Sequence, residues 1–128
     1  MSATEIYQAI GYRILNYAPI TAITNTRIYY GIIPEATPTL PAINYFLVSS
    51  PNLETNTCRD RYQISCRAND LATCMTLAFH VHAAFNNYQG TLNNFDVQNC
   101  YYDNSRVIVE ENNIFHIPVD LFFTYQRV

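Results

Sequence analysis

In Arg61-Tyr62-Gln63-Ile64-Ser65-Cys66-Arg67 the polar side chains fall on odd positions and the apolar ones on even positions. This period-2 alternation marks a strand with one wet face and one buried face. Asn69 and Asp70 then offer an N-cap, and Leu71 through Phe85 contains neither Gly nor Pro, so the strand feeds directly into a long helix. With ~100° between successive residues, Leu71, Cys74, Met75, Ala78, Val81, His82 and Phe85 share one face, and Thr73, Thr76 and His80 point away. Such a stripe must be laid on something apolar, and the even face of 61–67 is the expected partner. Asn86, Asn87 and Gly90 supply the stop, because Asn and Gly tolerate the left-handed conformation that ends helices.

The remaining segments are expected to wrap around that contact. Ser2 and Glu5 have capping-box spacing, Ile6, Ile10, Ile14 and Tyr17 recur at helical intervals, and Pro19 closes the segment. Thr21 to Thr26 reads as a polar connection, and Arg27 to Tyr30 as a short strand ended by Gly31. Ile32 to Pro41 carries Pro34, Pro38 and Pro41, which preclude regular structure and stiffen the loop. Ala42 to Ser49 is a second strand with Ile43, Tyr45 and Leu47 on one face and Phe46 and Val48 on the other. Apolar residues on both faces suit a central strand or one covered by a neighbouring subunit. Pro51 to Asp60 is a polar connection, long for a hairpin and expected to project.

After the helix, Val97 to Tyr102 and Arg106 to Glu110 flank a turn at Asp103-Asn104-Ser105, and Glu111-Asn112-Asn113 forms another. In the last segment Phe115, Ile117, Val119, Leu121, Phe123 and Tyr125 line one face, with His116, Pro118, Asp120, Thr124 and Gln126 opposite. Pro118 cannot donate to a ladder, which predicts an edge strand or a bulge there. The order α-β-β-β-α-β-β-β gives an α+β fold, an antiparallel sheet with two helices packed on one face, as a single domain over 1–128.

Chemistry is hard to find in these residues. The three glycines are isolated, which excludes phosphate-binding loops and nucleophile elbows. No pair among Cys58, Cys66, Cys74 and Cys100 has CxxC spacing, so reduced thiols are expected and not a metal site, with Cys66 and Cys74 packed on apolar faces as small hydrophobes. His80 and His82 point in different directions on the helix, and Glu110 and Glu111 face opposite sides of a strand end. A Cys–His nucleophile would need Cys58 or Cys100 to approach His80 or His116, which spacing does not decide. The expectation is a protein that is not an enzyme, with no catalytic, cofactor-binding or metal-binding residues and no cofactor. No run approaches the roughly twenty apolar residues of a membrane span, and the N-terminus lacks the segments of a secretory leader, so no membrane partner is expected.

Composition adds a positive indication. All basic residues are Arg, only 13% of residues are charged, and eleven are Tyr. Small monomers normally keep more surface charge than this, whereas Tyr and Arg favour the centres of protein interfaces. The net charge of −3 argues against binding nucleic acid through phosphate contacts. An assembly subunit fits this composition.

The chain resembles the tail-completion, or tail-terminator, proteins of long-tailed bacteriophages. The resembling pieces are the N-terminal amphipathic helix, Arg27-Ile28-Tyr29-Tyr30-Gly31 with its proline-rich follow-on to Leu40-Pro41, Arg61 to Cys66 running into the long helix, and the closing strand Ile114–Tyr125. The absence of lysine and the Asn-rich turns depart from the pattern. The resemblance implies a virion protein that forms a ring, a hexamer, which stops tail-tube growth and joins the tube to the neck. The implied partners are further copies of the chain, the tail-tube protein and a neck or head-completion protein, with DNA passing through the pore unbound. The implied location is the tail–neck junction of the virion, after assembly in the host cytoplasm. A head-side neck or stopper protein, a tail-tube subunit, and a small cytosolic enzyme or ligand-binding domain remain as alternatives.

Two segments are candidates for the working surfaces. Tyr29, Tyr30, Pro34, Glu35 and Pro38, on the short strand and the stiff loop, are expected at a subunit contact, because pre-stiffened segments lose less entropy on docking. Glu54, Arg59 and Asp60, on the long polar connection, are expected to face the lumen or the next ring.

Overall fold

The strand singled out by its alternation forms as β3, Cys58–Ala68, near the middle of a seven-stranded sheet. In the computed structural model, residues 5–34, 39–50 and 57–127 are described. Two helices come first, α1 (Ile6–Leu15) and α2 (Ala18–Thr24), followed by β1 (Ile28–Tyr30), β2 (Ala42–Ser49) and β3. Helix α3 (Leu71–Phe85) leads to β4 (Gly90–Leu92), β5 (Phe95–Ser105), β6 (Ile108–Glu110), a 3-10 turn and β7 (Ile114–Arg127). The sheet order is β1-β2-β3-β7-β5-β4, with β6 paired to β7 beside β5.

Burial follows the pleat of β3. Tyr62, Ile64, Cys66 and Ala68 are buried, and they meet the odd-numbered face of β7, where Ile117, Val119, Leu121 and Phe123 are buried in the same core. These two strands pair from Cys58↔Tyr125 to Ala68↔Phe115. Strand β7 is therefore central, neither an edge nor bulged at Pro118 as its proline predicted. Pro118 is accommodated because β6 pairs only as far as His116 and β5 only from Val119 onward. The missing N–H sits at that break in the ladder.

Three features of the α+β prediction need correction. Most of the stretch Thr21 to Thr26, expected as a polar connection, lies in helix α2: Pro19 sits in its first turn, where a missing N–H is harmless, so it begins a helix instead of ending one. The capping box of α1 is one turn later than expected, with Glu5 at the N-cap and its amide donating to Gln8 Oε1 at 3.1 Å, while Ser2 lies outside the described residues. The sheet is mixed, because β1 runs parallel to β2 in the register Ile28↔Ile43. A parallel pair needs a long return connection, and residues 31–41 provide it.

The stripe on α3 is also rotated from the expected one. Cys74, Leu77, Val81, Ala84 and Phe85 are buried, whereas Leu71 and Met75 are exposed and His82 is half-buried. Both sides of this helix carry large apolar residues, so periodicity alone could not choose between them. The helix is held at both ends. Asp70 accepts from the Thr73 amide at 2.9 Å, and that bond holds its carboxyl below the usual range. At the other end Arg13 of α1 donates from Nε to the Ala84 carbonyl at 2.8 Å, occupying an acceptor of the last turn. Asn87, at φ 63°, then turns the chain out of the helix.

Helix α1 approaches the sheet closely at Gly11. The Tyr45 hydroxyl of β2 donates to the Tyr7 carbonyl at 2.8 Å, and a Cβ on Gly11 would stand 2.2 Å from that oxygen. Glycine is required here by proximity, not by backbone conformation. Helix α2 packs against α1 and α3 on the same side, and its Ile20 is fully buried. Among the described residues the sheet therefore carries three helices on one face, not two.

Candidate functional site

The opposite face of the sheet, on which no helix packs among the described residues, carries a set of paired charges. Arg61 of β3 donates to Asp120 of β7 at 2.9 Å and lies 3.4 Å from Asp103 of β5. Arg67 pairs with Glu110 of β6, and its Nε donates to Asn44 at 3.2 Å. His116 lies with its Nδ1 3.7 Å from the same Glu110 carboxylate. Burial and the nearby Arg67 push the His116 pKa down to about 4, so the ring is neutral in the folded protein at neutral pH. Arg59 lies 4.8 Å from the Phe122 ring centre and hydrogen-bonds the Tyr101 hydroxyl, beside stacked Tyr101 and Phe122 rings. These arginines brace neighbouring strands and do not form a basic track.

The predicted site residues are dispersed. Tyr30 is 45% exposed at the β1 edge, stacked on Tyr7 at 4.2 Å and edge-on to Tyr45 at 5.3 Å. Tyr29 is half-buried on the other face of the same strand, paired with Asn44, and Pro34 is exposed. Glu35, Pro38 and Glu54 lie outside the described residues. Arg59 is exposed, on the strand itself.

Asp60 is corrected outright. It is 2% exposed, inside β3, and accepts hydrogen bonds from Tyr125 Oη at 2.7 Å and Ser50 Oγ at 2.5 Å. Burial together with this bond raises the Tyr125 pKa. Asp60 occupies an even position of the strand, on the face of Tyr62 and Ile64. Extending the alternation back by one step would have assigned it to the interior.

The cysteines are free thiols. Cys66, Cys74 and Cys100 are buried, and burial raises Cys74 to about 11 and Cys100 to about 12. No group of three or more metal-ligating side chains converges among the described residues. What the structure does offer is apolar surface that the sequence reading did not single out. Phe79 is 64% exposed and Ile32 82% exposed, and Met75, Val107 and Val109 are exposed as well. Leu77 and Phe79 are the two large apolar residues of the helix left off the proposed stripe, and the structure buries Leu77 while leaving Phe79 exposed.

Comparison with known proteins gives a fold and not a family. No protein-family model matches the chain, and no curated protein matches it. Among solved structures, the chain is similar to a chain from the virion of a native gene transfer agent particle, with a TM-score of 0.74 and 13% identity over 96% of this chain and 98% of that one. A second solved chain is similar with a TM-score of 0.63 and 14% identity over 96% and 94% of the two chains. The shared fold extends over essentially the whole length of all three.

Proposed function

We propose that this chain is a structural virion subunit, not an enzyme, that closes a phage-type tail tube as a ring and joins it to the neck. The observation that carries the reading is the end-to-end similarity of fold to a chain of a gene transfer agent virion. The tail-terminator resemblance of the sequence narrows it, with a hexamer as the ring and residues 1–128 acting as one domain. The distribution of side chains supports a role in assembly. Large apolar residues stand exposed on the surface, while Arg13, Arg27, Arg61 and Arg67 are taken up by carbonyls and carboxylates within the chain. A ring of such acidic chains would let DNA pass without holding it, since retention requires free cations along the path. Its partners would be copies of itself, the tail-tube protein and a neck protein, within the virion, after assembly in the host cytoplasm.

The test is deletion of the gene from a genome that produces the particle, followed by electron microscopy. The reading predicts tubes of uncontrolled length and heads without attached tails, both corrected by supplying the chain in trans. Tails of normal length attached to heads would refute it. Loss of head closure with normal free tails would move the chain to the head side of the neck.

A further inference from the structure

The helix side of the sheet is not covered throughout. Leu71, Met75 and Phe79 stand four residues apart on α3, so they follow one side of the helix, and all three are exposed. Val107 and Val109, also exposed, continue the chain from the end of β5 into β6. Val109 pairs with Phe115, which packs against the core, so it lies on the same side of the sheet as the helix. Between helix and strand runs a groove of about 390 Å³, with Ile117 and Val119 of β7 in its lining. It opens where the ladder breaks at Pro118: β5 pairs only from Val119 onward and β6 only as far as His116, which leaves Arg106 and Val107 outside both strands. Contiguous exposed apolar surface of this kind marks a site of association.

The charge at the rim narrows what fits. No carboxylate is among the lining residues, and the permanent charge there is Arg106, which is exposed and makes no ion pair among the described residues. Arg13, Arg27, Arg59, Arg61 and Arg67 are instead engaged by carbonyls, carboxylates or the Tyr101 hydroxyl. The matching ligand is therefore apolar with a carboxylate at its edge. The exposed large apolar residues elsewhere on the chain, Tyr12, Leu15, Tyr30, Ile32, Leu47 and Val48, have no Asp or Glu within two positions. Pairing groove on groove would set Arg106 against Arg106.

Resting on the virion reading above, we propose that the groove receives an apolar, acid-bearing segment of a different virion protein, with its apolar side chains between Phe79 and Val107 and its carboxylate on Arg106. An amphipathic helix laid along Leu71, Met75 and Phe79 has the spacing such a groove takes.

The test is co-sedimentation of the purified full chain with heads, and separately with free tails, taken from particles lacking the gene. The wild-type chain should bind one of the two, more weakly as salt rises. Phe79→Glu and Arg106→Glu, both at exposed positions and checked by thermal melts, should each weaken that binding by about tenfold or more. Arg106→Lys, which keeps the charge, should bind nearly as the wild type does. Native mass should show both Glu variants assembling as the wild type does. Folded variants that no longer assemble would make the groove a contact between copies of this chain and overturn the proposal. So would undiminished binding by either Glu variant, or no binding by the wild type. Binding that is lost in the variants, from a wild-type chain that forms no ring, would uphold the groove and refute the ring reading.

Discussion

Replacing Phe85 and Phe79 by alanine, one at a time, separates the two faces of α3. Phe85 is fully buried, edge-on to Phe123 at 5.6 Å between ring centres, with the Arg13 guanidinium 5.7 Å from its own ring centre. Truncation there removes the ring from the core and leaves a cavity between helix and sheet, at a cost of ~3–5 kcal/mol. The lost edge-to-face pair accounts for ~0.5–1.5 kcal/mol of that. Phe79 lies six residues earlier and is 64% exposed. Phe79→Ala should change the stability of the isolated subunit by no more than ~0.5 kcal/mol, since alanine is also the better helix former. The assay is urea unfolding at a protein concentration low enough that association adds nothing, with the slope compared to confirm an unchanged unfolding transition. Equal losses at the two positions, or a larger loss at Phe79, would refute the assignment of the helix face.

Asp60→Ala leaves the Tyr125 hydroxyl without its acceptor and should cost ~1–3 kcal/mol in denaturant melts; Asp60→Asn, which keeps an acceptor oxygen, should cost less, and negligible loss in both would contradict burial of the carboxylate. The pKa of His116 is lowered from 6.5 to about 4 by burial first and Arg67 second, with Glu110 opposing and Arg106 adding to the effect. The stability it contributes is therefore complete above about pH 6.5 and lost as pH falls toward 4, by ~3 kcal/mol at most. Midpoints for wild type and His116→Asn should converge on acidification, and a pH-independent difference would refute the burial argument. Gly11→Ala should destabilise by ~1–3 kcal/mol because Tyr45 must move from its bond to Tyr7. A stabilised variant, as helix propensity alone would give, would show that the contact is looser than the structure has it.

The core faces of β3 and β7 were legible in the sequence, but their opposite face is not wet throughout: Ser65, His116, Pro118 and Asp120 are buried there. Tyr62, Ile64 and Cys66 on β3 and Ile117, Val119, Leu121 and Phe123 on β7 alternate cleanly and are buried as expected. What escaped was decided by tertiary contacts. Pro19 is compatible with ending one helix or beginning the next, and only the packing of Ile20 in the core selects the second. Leu77 and Phe79 are two residues apart on a helix apolar on both sides, and their fates differ because β3, β7 and β5 lie on only one side of it. The parallel pairing of β1 depends on where the chain returns after the proline-rich loop, which no local pattern encodes. Of the candidate site, the exposed edge at Tyr30 was legible, whereas Arg59, expected on the projecting connection, lies on β3 itself. Asp60 was misassigned because its charge was weighed ahead of its place in the alternation.

Assembly is the property on which the whole account depends, and the native mass of the purified wild-type chain tests it most directly. Native mass spectrometry with negative-stain imaging across a concentration series should show one closed oligomer, seen end-on as a ring with a central hole and six chains in its mass. A chain that remains monomeric up to the highest soluble concentration, with no rings on the grid, would contradict the account.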